Sequence, residues 1–231
     1  MKRTLYLICV IAALAIQTGA SAQAPLKLSI LGDSYSTYDG WIHPDWNYSW
    51  YFDEGSQYKP KDNDVNSPDQ TWWNLVAAHM GYTLEKNNSF SGATICFHGY
   101  NEVDYSDRSF VTRASDLGHP DVILVCGGTN DSWSNAPVGE YKWKRWTNDD
   151  LWFFRPAMAK MCSELRTLYP KAKIVFMLNS ELREEINDSV HKVCRHYRIP
   201  CVDLHDIDKQ LGHPSQAGMK AMAEQVEAVL E

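Results

Sequence analysis

The segment DVILVCGGTND, residues 121–131, decides the fold. Val122 to Cys126 are apolar without a break, so neither face of the segment is patterned for water. A strand of that kind belongs inside a parallel sheet covered on both sides. The glycine pair 127–128 stops it, and polar residues begin at Thr129. Working outward, KIVFML at 173–178 repeats the pattern, and LKLSIL at 26–31 runs into Gly32. Residues 82–87 and 199–204 are two further strand candidates. Helical apolar spacing fills the intervals. It covers 70–80, stopping at Gly81; 150–169, stopping before Pro170; 181–197; and 216–230, with Ser215 placed to cap it. Strands alternating with helices build right-handed βαβ units. The expected architecture is an α/β fold, a three-layer α/β/α sandwich around a mostly parallel five-stranded sheet. Ligands of such sheets sit at the carboxyl ends of the strands. Residues 37–69 and 132–148 are too long for plain connections and are expected to be functional loops.

The chain has 231 residues, enough for one α/β domain and little more. Its start reads as an export signal: Lys2 and Arg3, an apolar run over 5–16, and the small residues Ala20, Ser21 and Ala22. Cleavage after Ala22 is expected, leaving 23–231 as a single domain in the periplasm or the medium. The apolar run is short for a membrane span. Losing Lys2 and Arg3 takes the formal charge from −7 to −9. That charge disfavours nucleic acid and anionic lipid as partners. Cys96, Cys126, Cys162, Cys194 and Cys201 remain, an odd set that leaves at least one free thiol. Cys194 and Cys201 are spaced for a local bridge, but small buried apolar residues are the simpler reading. No CxxC spacing occurs, so no metal site is expected.

Four polar clusters fall just after strand candidates. Gly32-Asp33-Ser34 follows the first; glycine permits a sharp turn, and Ser34 can then expose its hydroxyl and its backbone N–H. Ser91-Gly92-Ala93-Thr94 follows the second, where Gly92 offers an N–H without steric cost. Asn130 follows the buried strand at 121–126; a neutral side-chain amide there is a suitable donor to a developing oxyanion. His213 precedes Pro214, which holds it extended, between the last strand and the last helix. Each cluster alone is also an ordinary polar turn. Their order, each after a strand, is what carries the chemistry.

Together, Gly32-Asp33-Ser34, Gly92, Gly128-Thr129-Asn130-Asp131 and His213-Pro214 resemble the spaced blocks of the SGNH/GDSL hydrolase family. The resemblance implies a flavodoxin-like fold, ester hydrolysis, and no metal or cofactor. It also implies Ser34 as nucleophile, His213 as general base, and an oxyanion hole of Ser34, Gly92 and Asn130. No GxSxG elbow is present, which counts against the ordinary α/β-hydrolase arrangement. One departure stands out. The family aspartate, three residues before the histidine, is here Gln210. Asp208 is the expected partner of His213, with Asp206 or a backbone carbonyl as alternatives.

Trp41, Trp46 and Trp50 crowd the loop after the nucleophile, and Trp133, Trp143 and Trp146 the loop after Asn130. Flat rings suit the apolar faces of pyranoses, and Trp41 and Trp133 are the expected substrate platforms. Packing onto the core is the competing use of such rings. The expected activity is a secreted serine esterase that removes short acyl groups, acetyl first, from carbohydrate. A lipase-like or thioesterase-like hydrolase of longer chains, and a glycan-binding protein without turnover, are the alternatives.

Overall fold

The computed structural model describes residues 24–42 and 48–231. The expected leader, 1–22, and Trp46 lie outside the described residues. Five strands form one sheet: β1 (Lys27–Gly32), β2 (Thr83–Ser89), β3 (Val122–Cys126), β4 (Lys173–Leu178) and β5 (Cys201–Asp203). Their order is β2-β1-β3-β4-β5, and every pair is parallel. A short antiparallel hairpin, β6 (Lys209–Gln210) with β7 (His213–Pro214), stands apart. The helices are α1 (Trp72–Met80), α2 (Phe110–Arg113), α3 (Thr129–Trp133), α4 (Phe154–Leu168), α5 (Glu184–Tyr197) and α6 (Gln216–Leu230).

Strand alternation sorts the core into two layers. Val122 and Leu124 of β3 pack with Trp72 and Trp73 of α1 and Met219 and Met222 of α6. Ile123 and Val125 face the other way, onto Met158 and Met161 of α4 and Val190 of α5. The expected three layers follow from that alternation, because every residue of β3 is buried.

Helix ends differ from the apolar periodicity where local chemistry intervenes. The 150–169 segment begins with a 3-10 turn at Asp149–Trp152, and α4 starts at Phe154. Pro156 lies in the first turn of α4, where its missing N–H costs nothing. Gly81 ends α1 in the left-handed conformation, φ 66°, as a C-cap glycine does. β5 keeps only three residues of 199–204.

β1 pairs with β2 on one side and β3 on the other, so the strand order reverses at β1. Gly32 is level with both Ser89 and Cys126. The carboxyl ends of these three strands therefore open on one crevice, the topological switch point of an open α/β sheet.

Candidate active site

The turn after β1 admits no side chain at its first residue. A Cβ on Gly32 would lie 2.5 Å from Ser36 Oγ. Asp33 then caps a 3-10 turn, Ser34–Ser36, by accepting from the Tyr35 N–H at 3.1 Å. Helix α1 holds this turn from below. The Trp72 indole N–H donates to Tyr35 O at 3.1 Å, and that of Trp73 to Ser36 O at 3.0 Å. Those two tryptophans are core residues in the sequence pattern; only their ring nitrogens reveal that they position Ser34.

His213 arrives on the hairpin. Leu211 and Gly212 both have positive φ, 53° and 75°. Two such residues between paired strands make a type I′ turn, the tightest hairpin connection. Tyr35, next to Ser34, donates its hydroxyl to Gly212 O at 2.7 Å, and Tyr51 donates to Pro214 O at 2.9 Å. The Ser34 turn and the histidine hairpin are thus tied together. Ser34 Oγ lies 2.8 Å from His213 Nε2, although 179 positions separate them in sequence. His213 Nδ1 lies 3.2 Å from Leu211 O. A carbonyl only accepts, so Nδ1 carries the proton and the Nε2 lone pair faces the serine hydroxyl.

Asp208 does not meet His213, against expectation. Its carboxylate accepts from the Ser215 hydroxyl, and its backbone carbonyl accepts from Ser215 N at 3.1 Å. The cause is the tightness of the hairpin. With a two-residue turn, Gln210 pairs directly opposite His213, and Asp208 falls beyond the hairpin, beside the start of α6. Gly218 packs so closely there that a Cβ would lie 2.1 Å from Asp208 O. Gln210 turns outward and accepts from Asp64 N at 2.8 Å. Asp206 pairs with His205 at the exposed surface. The Leu211 carbonyl occupies the place of the third group.

Rings enclose the imidazole. Trp50 stacks on it with centroids 3.5 Å apart and 8° between planes. Tyr35 and Trp133 approach edge-on at 5.2 and 6.4 Å. This burial penalises the imidazolium and pulls the His213 pKa from 6.5 down to about 4, against the Leu211 hydrogen bond, which raises it.

Asn130 and Gly92 line the same cleft. Tyr100 donates its hydroxyl to Asn130 Oδ1 at 2.8 Å, and Asn130 Nδ2 donates to Ala93 O at 3.0 Å. These two bonds fix the amide orientation and engage one of the two Nδ2 hydrogens. Gly92 has φ 79°, with open space where a side chain would stand. Asp131 fastens the segment beyond it, accepting from Ile95 N at 2.8 Å and Cys96 N at 3.2 Å. Burial pushes Asp131 up to about 6 and Asp33 up to about 7. Buried Arg113 faces Asp33 electrostatically, and burial draws its guanidinium down to about 9. Arg113 also donates to Gly32 O at 3.1 Å and to Asn88 O, bracing the ends of β1 and β2.

The cleft has a volume of about 420 Å³. Trp133 lines it and is 46% exposed. Trp41 does not line it; it leans on Trp73 with centroids 5.6 Å apart. Trp143 and Trp146 also stand away from the cleft lining, and Trp143 stacks between Tyr141 and His196. Trp50, Tyr100 and Arg108 are lining residues that residue type alone did not separate from their neighbours. A larger cavity of about 610 Å³, between Tyr141, Phe153 and Arg155, contains none of the motif residues.

A serine and a neutral histidine at the switch point of a parallel sheet define a serine hydrolase class of site. The chain belongs to the GDSL-like lipase/acylhydrolase family, whose model matches residues 26–230, and it is an ester-hydrolysing enzyme. It is 50% identical to a crystallised GDSL-like lipase from Bacteroides ovatus, with TM-score 0.87, covering 90% of this chain and 99% of that one. A GDSL-like lipase from Bacteroides uniformis is likewise 50% identical at TM-score 0.87, with 90% and 96% covered. An acetyl xylan esterase from Butyrivibrio proteoclasticus shares the fold at 18% identity and TM-score 0.54, with 89% and 63% covered. No curated protein matches the chain.

Proposed function

We propose that this enzyme is exported and removes short acyl groups, acetyl above all, from carbohydrate. One observation favours this over a long-chain lipase. Among the described residues lining the cleft there is no Leu, Ile, Val or Met: the walls are Tyr48, Trp50, Tyr100, Tyr105 and Trp133 with small polar groups and Arg108. A fatty chain needs an aliphatic tunnel, whereas a sugar needs flat rings and hydrogen-bonding edges. The leader ending at Ala22 supports export. The joint presence of Ser34, His213 and Asn130 supports turnover rather than binding alone.

In the proposed mechanism Ser34 Oγ attacks the ester carbonyl carbon while His213 Nε2 takes its proton. The new oxyanion is held by the N–H groups of Ser34 and Gly92 and the second Nδ2 hydrogen of Asn130. The imidazolium formed is steadied by the Leu211 carbonyl. It returns its proton to the alcohol oxygen as the C–O bond breaks, leaving an acyl-serine. Water then loses a proton to His213 as it attacks that carbonyl, and the imidazolium returns the proton to Ser34 Oγ as the acyl–oxygen bond breaks, releasing the acid and the free serine.

The test is acid release from p-nitrophenyl acetate, butyrate and octanoate and from acetylated xylo-oligosaccharide, with Ser34→Ala beside the wild type. The expected result is turnover that declines with chain length, persists on the oligosaccharide, and vanishes in the variant. Octanoate as the preferred ester would establish the lipase reading instead. Amino-terminal sequencing of secreted protein beginning at Gln23 would support export.

A further inference from the structure

We propose that His191, Cys201 and Asp203 form a binding site for one thiophilic divalent cation, of which zinc is the type. His191 lies on α5; Cys201 and Asp203 lie on β5, the edge strand of the sheet. Residues two apart in a strand project to the same side, so Cys201 and Asp203 share a face. One ligand atom from each of the three, imidazole nitrogen, thiol sulfur and carboxylate oxygen, lies within 4.8 Å of the others. His191 Nε2 and Asp203 Oδ1 already meet at 2.7 Å. The set opens on a cavity of about 340 Å³ that shares no residue with the catalytic cleft.

The chemistry suits zinc. Tetrahedral sites combine imidazole, thiolate and carboxylate at bond lengths of about 2.0–2.3 Å, so the ligand atoms stand roughly 3.3–3.8 Å apart. Binding therefore requires Nε2 and Oδ1, 2.7 Å apart, to part by at least about 0.6 Å, with the sulfur, within 4.8 Å of both, settling into the same range. The His191 and Asp203 side chains are 37% and 66% exposed and have room to move. One thiolate and one carboxylate neutralise the cation, and water completes the set. Cys194, three residues after His191 on α5, lines the same cavity. Among the described residues of that lining, Arg195 is the one basic side chain besides the histidine. A cation held here would clamp α5 onto a three-residue edge strand. Chain spacing conceals the site, because its ligands are neither CxxC nor close repeats.

The test is titration of the purified protein, thiols reduced, with cobalt(II) followed by zinc. The expected result is one equivalent of cobalt, giving a thiolate charge-transfer band and tetrahedral d–d absorption, displaced by zinc. Melting temperature should rise on zinc addition. Cys201→Ser should abolish the charge-transfer band. His191→Ala and Asp203→Asn should each weaken binding by at least about tenfold. His205→Ala, at an exposed His–Asp pair outside the set, should change nothing. Failure to saturate at one equivalent would overturn the proposal. So would a band that survives in Cys201→Ser, or a Cys194–Cys201 disulfide in the protein as isolated. None of these outcomes depends on the ester substrate, so the two proposals fail separately.

Discussion

Replacing Trp50 by alanine removes the indole stacked 3.5 Å from the His213 ring, while Tyr35 and Trp133 still meet the ring edge-on. Burial is the leading cause of a His213 pKa of about 4 instead of 6.5. At about 1.4 kcal/mol per tenfold, the enclosure opposes the imidazolium by roughly 3 kcal/mol. The indole covers one whole face of the ring. Opening that face to water should return about half of the effect and raise the pKa to roughly 5 or above. Only neutral His213 can take the serine proton, so activity falls as pH falls through this pKa. The acid limb of kcat/KM for p-nitrophenyl acetate should lie near pH 4 in the wild type, and at least about one pH unit higher in Trp50→Ala. Stability follows the same linkage: a depressed histidine pKa contributes stability present above 6.5 and lost as pH falls through about 4. The variant should therefore lose less stability over that window. A folded Trp50→Ala enzyme whose acid limb does not move would refute the stacking argument. A wild-type limb at the ordinary histidine value would refute the enclosure itself.

Asp208→Asn should leave kcat/KM within about threefold but lower stability by about 1–2 kcal/mol, through its bond to Ser215; the pH–rate profile and melting temperature check both. A loss approaching ten-thousand-fold, of the order expected for a triad carboxylate, would restore Asp208 to His213. Asn130→Ala should cost about a hundred- to a thousand-fold in kcat with little change in the acid limb. Asp33 has its pKa raised by burial to about 7, so its contribution is present below 3.8 and lost as pH rises through 7. Melting curves of Asp33→Asn should accordingly gain on the wild type between pH 4 and pH 7.

Much of the architecture was legible because burial writes itself into strands. Val122 to Cys126 read as a strand buried on both faces, and Gly32 and Gly127 marked where β1 and β3 end. Ser34 and Asn130 were legible as candidates for a related reason: each is a polar residue just past a sheet strand, where the fold leaves a crevice, whereas His213, on the separate hairpin, was marked by the proline that follows it. The partner of His213 was not. Its identity depends on positive φ at Leu211, and leucine carries no signal for that conformation. Nor was the division of labour among the tryptophans legible. Trp41, Trp50, Trp72 and Trp73 are alike as letters, yet one leans outside the cleft, one covers the His213 ring, and two hold the Ser34 turn. Those fates depend on where a loop folds back, which local pattern does not encode.

The group that steadies His213 is a main-chain oxygen, so no point substitution can delete it. Natural variation can run freely through the side chain at 211 without touching that role, and a comparison of residue letters would report the position as unconstrained. The vulnerability is of another kind. Inserting or removing a single residue in the turn would rotate the carbonyl away from the imidazole while every catalytic letter stayed in place. Among relatives, the fixed quantity here should be the length of the hairpin.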